Sequence, residues 1–143
     1  MRYLPLIALL SSAGLGTGVA LADEEEADTC LRTKIWSGYN EGWAVRTATS
    51  ASLGSGEHRI YLVTLYAGNE YRIQACGDNN VIDLDVVLHD ANGTELMRDE
   101  SDDREPLINF QPVTTDTYYI AVYAATLASG QAKAGVATAV TYK

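Results

Sequence analysis

The sequence predicts a mainly β fold, an antiparallel β-sandwich preceded by a short N-terminal helix. From His58 onward, apolar side chains alternate with polar ones at a period of two, which is the spacing of a half-buried strand. These stretches are short and are separated by turn-forming Gly, Asn and Asp residues. Only the region before Ser50 shows helical spacing. Many short strands joined by tight turns are typical of a sandwich.

Seven strands are predicted within this region. An Asn-Gly pair at Asn92-Gly93 accepts positive φ at low cost and predicts a tight turn between two of them. The predicted strands are Ile60–Ala67, Tyr71–Ala75, Ile82–His89, Glu95–Arg98, Leu107–Phe110, Thr117–Ala124 and Val136–Tyr142. We assign 57–143 to one sandwich domain.

Residues 23–56 are predicted to precede the sandwich as three pieces. Residues 23–28 are an acidic tail that we expect to be frayed. Apolar side chains then recur every three or four residues from Thr29 to Thr47, which predicts a helix. The stretch Ser50–Gly56 is rich in Ser and Gly and is interpreted as a loop.

The first 22 residues are typical of a signal peptide. A positive start at Met1-Arg2 leads into an apolar stretch that ends in Val19-Ala20-Leu21-Ala22, with small residues where signal peptidase cuts. Glycine and serine dilute the stretch, which argues against a permanent membrane anchor. We expect cleavage after Ala22, leaving 143 − 22 = 121 residues. The protein is therefore predicted to be exported to the periplasm or beyond, with no stable membrane insertion after cleavage.

The charge of the chain excludes some classes of partner. The formal net charge is −9, with 19 acidic and 10 basic residues. A nucleic-acid-binding protein needs a basic face to neutralise phosphates, and anionic membranes attract polybasic segments. We therefore expect no nucleic-acid partner.

Cys30 and Cys76 are the only cysteines, and export would place them in an oxidising compartment. We predict a disulfide between them, which closes a loop of about 47 residues and contributes about 4 kcal/mol in the chain-entropy model. Cys76 shares parity with Arg72 and Gln74 on the outward face of its strand, so the bridge would fix the helix across the outside of a sheet. A redox or catalytic thiol is the alternative, but no CxxC spacing supports it.

Several pieces of the chain, in this order, resemble the bacterial pre-peptidase C-terminal domain. The resemblance covers residues 60–140 and rests on Leu65–Ile73, Ile82–Gly93, the acidic run Asp99–Asp103, Phe110-Gln111-Pro112 and Thr117–Val122. It implies a small jelly-roll-like β-sandwich of the kind found on secreted bacterial enzymes. Some members of that family bind calcium, and some bind collagen or polysaccharide.

Acidic side chains at strand ends are candidate calcium ligands, because calcium prefers six to eight oxygen atoms from carboxylates, amides and carbonyls. No EF-hand loop is present, so Asx turns and solvation are the alternative roles. The candidate residues are Asp83, Asp85, Asp90, Asn92, Asp99, Asp102 and Asp103. No cofactor other than calcium is expected.

Aromatic residues supply two candidate ligand platforms. Trp36, Tyr39 and Trp43 would form a stripe on one face of the predicted helix, able either to stack on sugar rings or to pack against the sheet. A second set lies on the strands, and parity requires part of it to face outward; its members are Tyr61, Tyr66, Tyr71, Tyr118, Tyr119 and Tyr123.

The sequence offers little support for catalysis. His58 and His89 are far apart, and no nucleophile elbow, zinc helix or P-loop is present. The first hypothesis is therefore a non-catalytic binding or accessory module for an extracellular polymer, such as a polysaccharide, or for an envelope protein. The alternatives are a structural or stress-protective envelope protein without a small ligand, and a small hydrolase that uses paired carboxylates.

Overall fold

A computed structural model describes residues 22–143 and confirms a mainly β sandwich with an N-terminal helix. The predicted signal peptide falls almost wholly outside the described residues. Among the described residues, no helix is both long and apolar enough to cross a bilayer. The elements are α1 (Glu24–Asn40), β1 (Ala44–Leu53), β2 (His58–Leu65), β3 (Tyr71–Gly77), β4 (Val81–His89), β5 (Glu95–Asp99), β6 (Leu107–Phe110), β7 (Asp116–Leu127) and β8 (Ala134–Tyr142).

The strands form two antiparallel four-stranded sheets. One has the order β1-β8-β3-β6 and the other β2-β7-β4-β5. The inward-facing side chains of both sheets form one apolar core, in which Leu65, Ile73, Leu84 and Val122 are fully buried. Burial of such side chains is the main stabilising term of a sandwich. We call the sheet β1-β8-β3-β6 the covered sheet, because α1 packs on its outer face. We call the sheet β2-β7-β4-β5 the uncovered sheet.

The helix begins earlier than predicted, so the expectation of a frayed acidic tail is wrong. It starts at Glu24, and the Asp23 carboxylate accepts a hydrogen bond of 2.9 Å from the backbone N–H of Glu26. An acidic N-cap and a first turn made of Glu24, Glu25 and Glu26 complement the positive end of the helix dipole. The acidic run therefore initiates the helix.

The prediction of a helix to Thr47 and a loop over Ser50–Gly56 is also wrong. The helix ends at Asn40, Gly42 adopts a φ of 93°, and residues Ala44–Leu53 form β1 against β8. A positive φ favours glycine and does not continue a right-handed helix. Because β1 is a strand of the covered sheet, the sandwich starts at Ala44, before the predicted boundary at residue 57.

Small residues let α1 lie close against the covered sheet. Leu31 and Ala27 of the helix pack on Ala137 and Ala139 of β8. At Gly135 a Cβ atom would lie only 2.4 Å from the backbone of Asp23, so glycine is required where the helix begins. The covered sheet therefore carries a stripe of small side chains under the helix.

The buried Asp78 side chain connects the start of the helix to two strands. Its Oδ2 accepts hydrogen bonds of 2.7 Å from the backbone N–H groups of both Asp23 and Gly135. Its Oδ1 accepts another, of 2.9 Å, from the N–H of Asn80. Asp78 is 1% exposed, so these three bonds satisfy a carboxylate that is shielded from water. The sequence interpretation assigned no role to this residue.

The predicted disulfide is confirmed. Cys30 of α1 is bonded to Cys76 of β3, with 6.0 Å between the two Cα atoms. Cys76 lies on the outer face of the covered sheet, as its parity predicted, and is fully buried beneath the helix. The bridge fixes the helix covalently to the sandwich.

Candidate functional site

The outer face of the uncovered sheet holds an aromatic hollow of about 440 Å³. Its lining includes His89 and Tyr119, which lie opposite each other in the strand register, and Tyr123, which lies opposite His58. The rings of His58 and Tyr123 are 5.0 Å apart. We call this hollow the tyrosine hollow; it is lined by Ile60, His89, Ala91, Asn92, Gly93, Tyr119, Ala121 and Tyr123.

Ile60, which lines the tyrosine hollow, and Leu62, which follows it on the same face of β2, are large exposed aliphatic residues. Ile60 is 49% exposed and Leu62 is 64% exposed, and both point outward from β2. Among the described residues no helix packs on this side of the molecule. A contiguous exposed surface of aliphatic and aromatic side chains is characteristic of a binding site.

Two tyrosines of the strand set line this hollow, and two others lie inside the fold. Tyr119 and Tyr123 face outward, whereas Tyr71 and Tyr118 are buried at 1% and 6% exposure. The parity argument thus correctly divided the tyrosines between two faces. The aliphatic partners of the hollow, Ile60 in particular, were missed, because the sequence analysis considered only aromatic side chains as ligand platforms.

The structure does not place Trp36, Tyr39 and Trp43 in one stripe, so that prediction is wrong. Trp36 and Tyr39 lie on α1, are 66% and 65% exposed, and contact each other edge to face with 5.9 Å between ring centroids. Trp43 lies beyond the end of the helix and is 7% exposed. The reason is the early end of α1, which removes Trp43 from the helical repeat.

Trp43 instead packs beside a second hollow, of about 460 Å³, on the covered sheet. The guanidinium carbon of Arg72 lies 4.1 Å from the centroid of the Trp43 ring, a cation–π geometry. Glu70 and Gln111 form part of the wall and are joined by a hydrogen bond of 3.1 Å. Because Arg72 covers the indole ring, this hollow presents polar groups more than aromatic surface.

Asp83 and Asp85 lie together on the outer face of β4. Burial, followed by the charge of Asp83, raises the pKa of Asp85 to about 6. Burial and the charge of Asp102 also raise the pKa of Asp83. One Oδ1 atom of each carboxyl is buried without a hydrogen-bond partner. The pair therefore favours a proton or a cation, although neither residue lines a hollow described above.

The other candidate calcium ligands are divided between the two ends of β4. Asp99 and Asp103 lie near Asp83 and Asp85 and accept hydrogen bonds from nearby backbone N–H groups. Asp90 follows the far end of β4, where its Oδ1 accepts bonds from the N–H groups of Asn92 and Thr94. Asp90 and Asn92 therefore form an Asx turn, and their grouping with the other five residues into one site is wrong.

Among the described residues, one group of three His, Cys, Asp or Glu side chains has its potential metal-ligand atoms within 4.8 Å of one another. This group differs from the predicted calcium ligands. It consists of Glu105 and the two sulfurs of Cys30 and Cys76, which the disulfide already uses. Lys34 lies 3.3 Å from Glu105 and neutralises it. This set is therefore explained by the helix attachment and by a surface ion pair.

Comparisons with known proteins identify the fold. The sequence matches no protein-family model and no curated protein. Among solved structures, the chain is similar to the periplasmic inhibitor of g-type lysozyme from Aeromonas hydrophila, PliG. The TM-score is 0.52 at 14% identity, over 70% of this chain and 88% of that one.

A second similar structure belongs to the class that the sequence resembles. It is the pre-peptidase C-terminal domain of a collagenase from Bacillus anthracis, with a TM-score of 0.52 at 16% identity. The match covers 67% of this chain and 89% of that domain. At these identities the likeness establishes a shared β-sandwich fold, and the tyrosine hollow has to be interpreted from its own chemistry.

Proposed function

We propose that this chain is a non-catalytic exported binding protein that binds an envelope protein through the tyrosine hollow and the adjacent side chains of β2. The observation that carries the proposal is the exposed apolar face of the uncovered sheet, where Leu62 and Ile60 are 64% and 49% exposed beside two tyrosines. Tyrosine and aliphatic side chains anchor protein interfaces, since they bury a large area at low entropic cost.

Charge favours a basic partner. The chain carries a net charge of −9, so its field attracts cationic proteins and accelerates their association. The apolar residues Ile60, Ala121 and Val87 lie opposite one another across the middle of the face. Asp85 and Glu95 lie further towards its two ends. An apolar centre with a charged margin is the usual layout of a protein interface.

Several features support export and a relationship to the pre-peptidase C-terminal domains. The signal-like start, the Cys30–Cys76 bridge and the likeness to a periplasmic inhibitor support a location in the periplasm or outside the cell. The same fold and the residues quoted above support descent from the pre-peptidase C-terminal domains.

The proposal is tested with a g-type lysozyme as the first probe, because a protein of the same fold inhibits that enzyme. Calorimetry with the processed chain should detect binding that weakens at least about tenfold in Tyr119→Ala, as expected for an aromatic anchor. Trp36→Ala is the matched control, since Trp36 is another large aromatic residue and lies on α1, which packs on the covered sheet. Binding that survives Tyr119→Ala but fails in Trp36→Ala would contradict the proposed surface.

The exposed Trp36–Tyr39 pair favours a second candidate function, which is binding of an extracellular polysaccharide. Two neighbouring rings, each about two-thirds exposed, offer stacking surface to sugars. Soluble peptidoglycan fragments are the probe, and loss of binding in Trp36→Ala but not in Tyr119→Ala would assign the polymer to the helix. If neither probe binds and a deletion strain has a fragile envelope, a structural or stress-protective role is favoured instead. Hydrolysis of the peptidoglycan fragments would favour a small carboxylate-dependent hydrolase.

We also propose that calcium binds at the N-terminal end of β4, through Asp83 and Asp85 together with Asp99, Asp102 and Asp103. The unpartnered buried Oδ1 atoms of the first two support the proposal. The five carboxylates provide no three-donor set within 4.8 Å, so the segment 100–106 has to shift on binding.

The calcium proposal predicts a higher melting temperature in millimolar calcium than in EDTA. The difference should vanish in Asp85→Asn and persist in Asp90→Asn, which alters a carboxylate at the far end of the strand. Equal melting temperatures with and without calcium, and no heat of binding by calorimetry, would refute it.

A further inference from the structure

We propose that strand β2 pairs with β2 of a second copy of this chain, antiparallel and centred on Tyr61, so that the two uncovered sheets become one eight-stranded sheet. The dimer would form at the edge of the sheet, whereas the proposed function uses its outer face. Both involve Ile60 and Leu62, so each proposal has its own experiment.

Three of the four edge strands in the described part of the chain are protected against pairing. Strand β5 carries Glu95, Arg98 and Asp99, which interact with neighbouring polar groups. Strand β6 has only four residues. Strand β1 is irregular between Val45 and Thr47. Charges, short length and bulges are the devices by which proteins prevent pairing at sheet edges.

Strand β2 is neither short nor bulged, and only one of its residues carries a permanent charge. It has eight residues in unbroken register with β7 and contains no acidic residue, lysine or proline. Its single arginine, Arg59, is near one end. A hollow of about 230 Å³ opens along its free edge, between Thr49 of β1 and Leu62. The backbone N–H and C=O groups on that edge are therefore open to another strand.

The sequence of β2 is complementary to itself in one register. Directly opposite residues share a face, so a two-fold axis has to pass through a residue rather than between two. If the axis passes through Tyr61, Ile60 of each copy lies opposite Leu62 of the other. His58 then faces Thr64, and Arg59 faces Val63. No like charges meet, and the two most exposed aliphatic side chains of the strand cover each other.

A second copy is the occupant that this complementarity selects. An axis through Ile60 or through Leu62 would separate the aliphatic pair, so the strand specifies its own register. The resulting two-fold axis is perpendicular to the sheet and leaves both tyrosine hollows on the same side of the dimer. An isologous interface of this kind is closed and does not propagate into fibres.

Sedimentation velocity on the processed protein, from micromolar to millimolar concentration, tests the proposal. We expect a species of twice the chain's mass, and at least a tenfold weaker association in Leu62→Lys, because a lysine on an edge strand opposes pairing. Val113→Lys is the matched control, since Val113 is 94% exposed and belongs to no strand. Near-ultraviolet circular dichroism and the melting temperature establish that each variant is folded.

Cross-linking tests the register separately. Oxidation of a mixture of Ile60→Cys and Leu62→Cys should give a disulfide-linked dimer, and either variant alone should give much less. A monomer at every concentration, or a dimer unaffected by Leu62→Lys, would overturn the proposal. Protection of the β2 amides from hydrogen exchange only when g-type lysozyme is added would assign the edge to that partner and would also overturn it.

Discussion

The outer faces of the two sheets differ in the size of their side chains and in what lies on them. The covered sheet presents Cys76, Ala137 and Ala139, all fully buried under α1. The uncovered sheet presents Ile60 and Leu62, among others, as large side chains in contact with solvent. Small residues allow a helix to approach a sheet closely, whereas large exposed apolar residues are retained where a partner binds. The same fold thus uses one face for stability and leaves the other free.

The largest loss of stability is expected from removing the Cys30–Cys76 disulfide, which attaches α1 to the covered sheet. Replacing both cysteines, Cys30→Ser with Cys76→Ser, should lower the free energy of unfolding by about 4 kcal/mol, because the closed loop is long. Urea denaturation measures this loss. The tyrosine hollow lies on the other sheet, so ligand affinity should be unchanged while the protein stays folded. A loss below about 1 kcal/mol would mean that the helix is held by packing alone.

The stability costs of truncating two leucines, one on the covered side and one on the uncovered sheet, compare the two faces directly. Leu31→Ala on the covered side removes a side chain that is 1% exposed and should cost about 3 kcal/mol. Leu62→Ala removes the same atoms from a side chain that is 64% exposed and should change stability by less than about 0.5 kcal/mol. Denaturation of the two variants under one condition gives both values. Equal losses would show that the uncovered face is buried in solution.

The strands were predictable because their signals are local. Alternation and an Asn-Gly turn predicted β4 and β5, and the bounds of β6 coincide with the prediction. The region between helix and sandwich was not predictable in the same way. Trp43 continued the helical spacing by coincidence, and the termination at Gly42 depends on a φ of 93° that spacing does not reveal. Strand β1 consists mainly of small residues, and it gains its structure from pairing with β8.

The candidate site was predictable only in part, since it is assembled from strands distant in sequence. Parity divided the tyrosines correctly, and the Cys30–Cys76 bridge predicted that the helix would lie across the outside of one sheet. No local signal indicated that Leu62 would remain in solvent on the other sheet. Asp78 was missed for a similar reason. Its three backbone donors come from Asp23, Asn80 and Gly135, and two of these are more than 50 residues away. A turn signal at Asp78-Asn79-Asn80 was the only available clue.

A smaller effect than the loss of the disulfide or of the Leu31 side chain concerns a carboxyl on the uncovered sheet. The pKa of Asp85 is raised to about 6 in the folded chain from its ordinary value of 3.8, chiefly by burial and next by the charge of Asp83. The folded state therefore retains a proton that the unfolded state releases, so stability falls as the pH rises from about 4 to about 6. Solvent reaches much of this group, which limits the change to about 1 kcal/mol.

Asp85→Asn removes that titration while keeping the shape of the side chain. We expect the variant to be about 1 kcal/mol more stable than the parent chain at pH 7 and equally stable near pH 4, as the linkage relation requires. Urea denaturation across this pH range, in EDTA, measures both values. Asp90→Asn is the control, because Asp90 belongs to the turn at the far end of β4. If Asp85→Asn were less stable than the parent at pH 7, the carboxylate of Asp85 would have a stabilising cationic partner. The outer face of the uncovered sheet would then be engaged by that partner at Asp85.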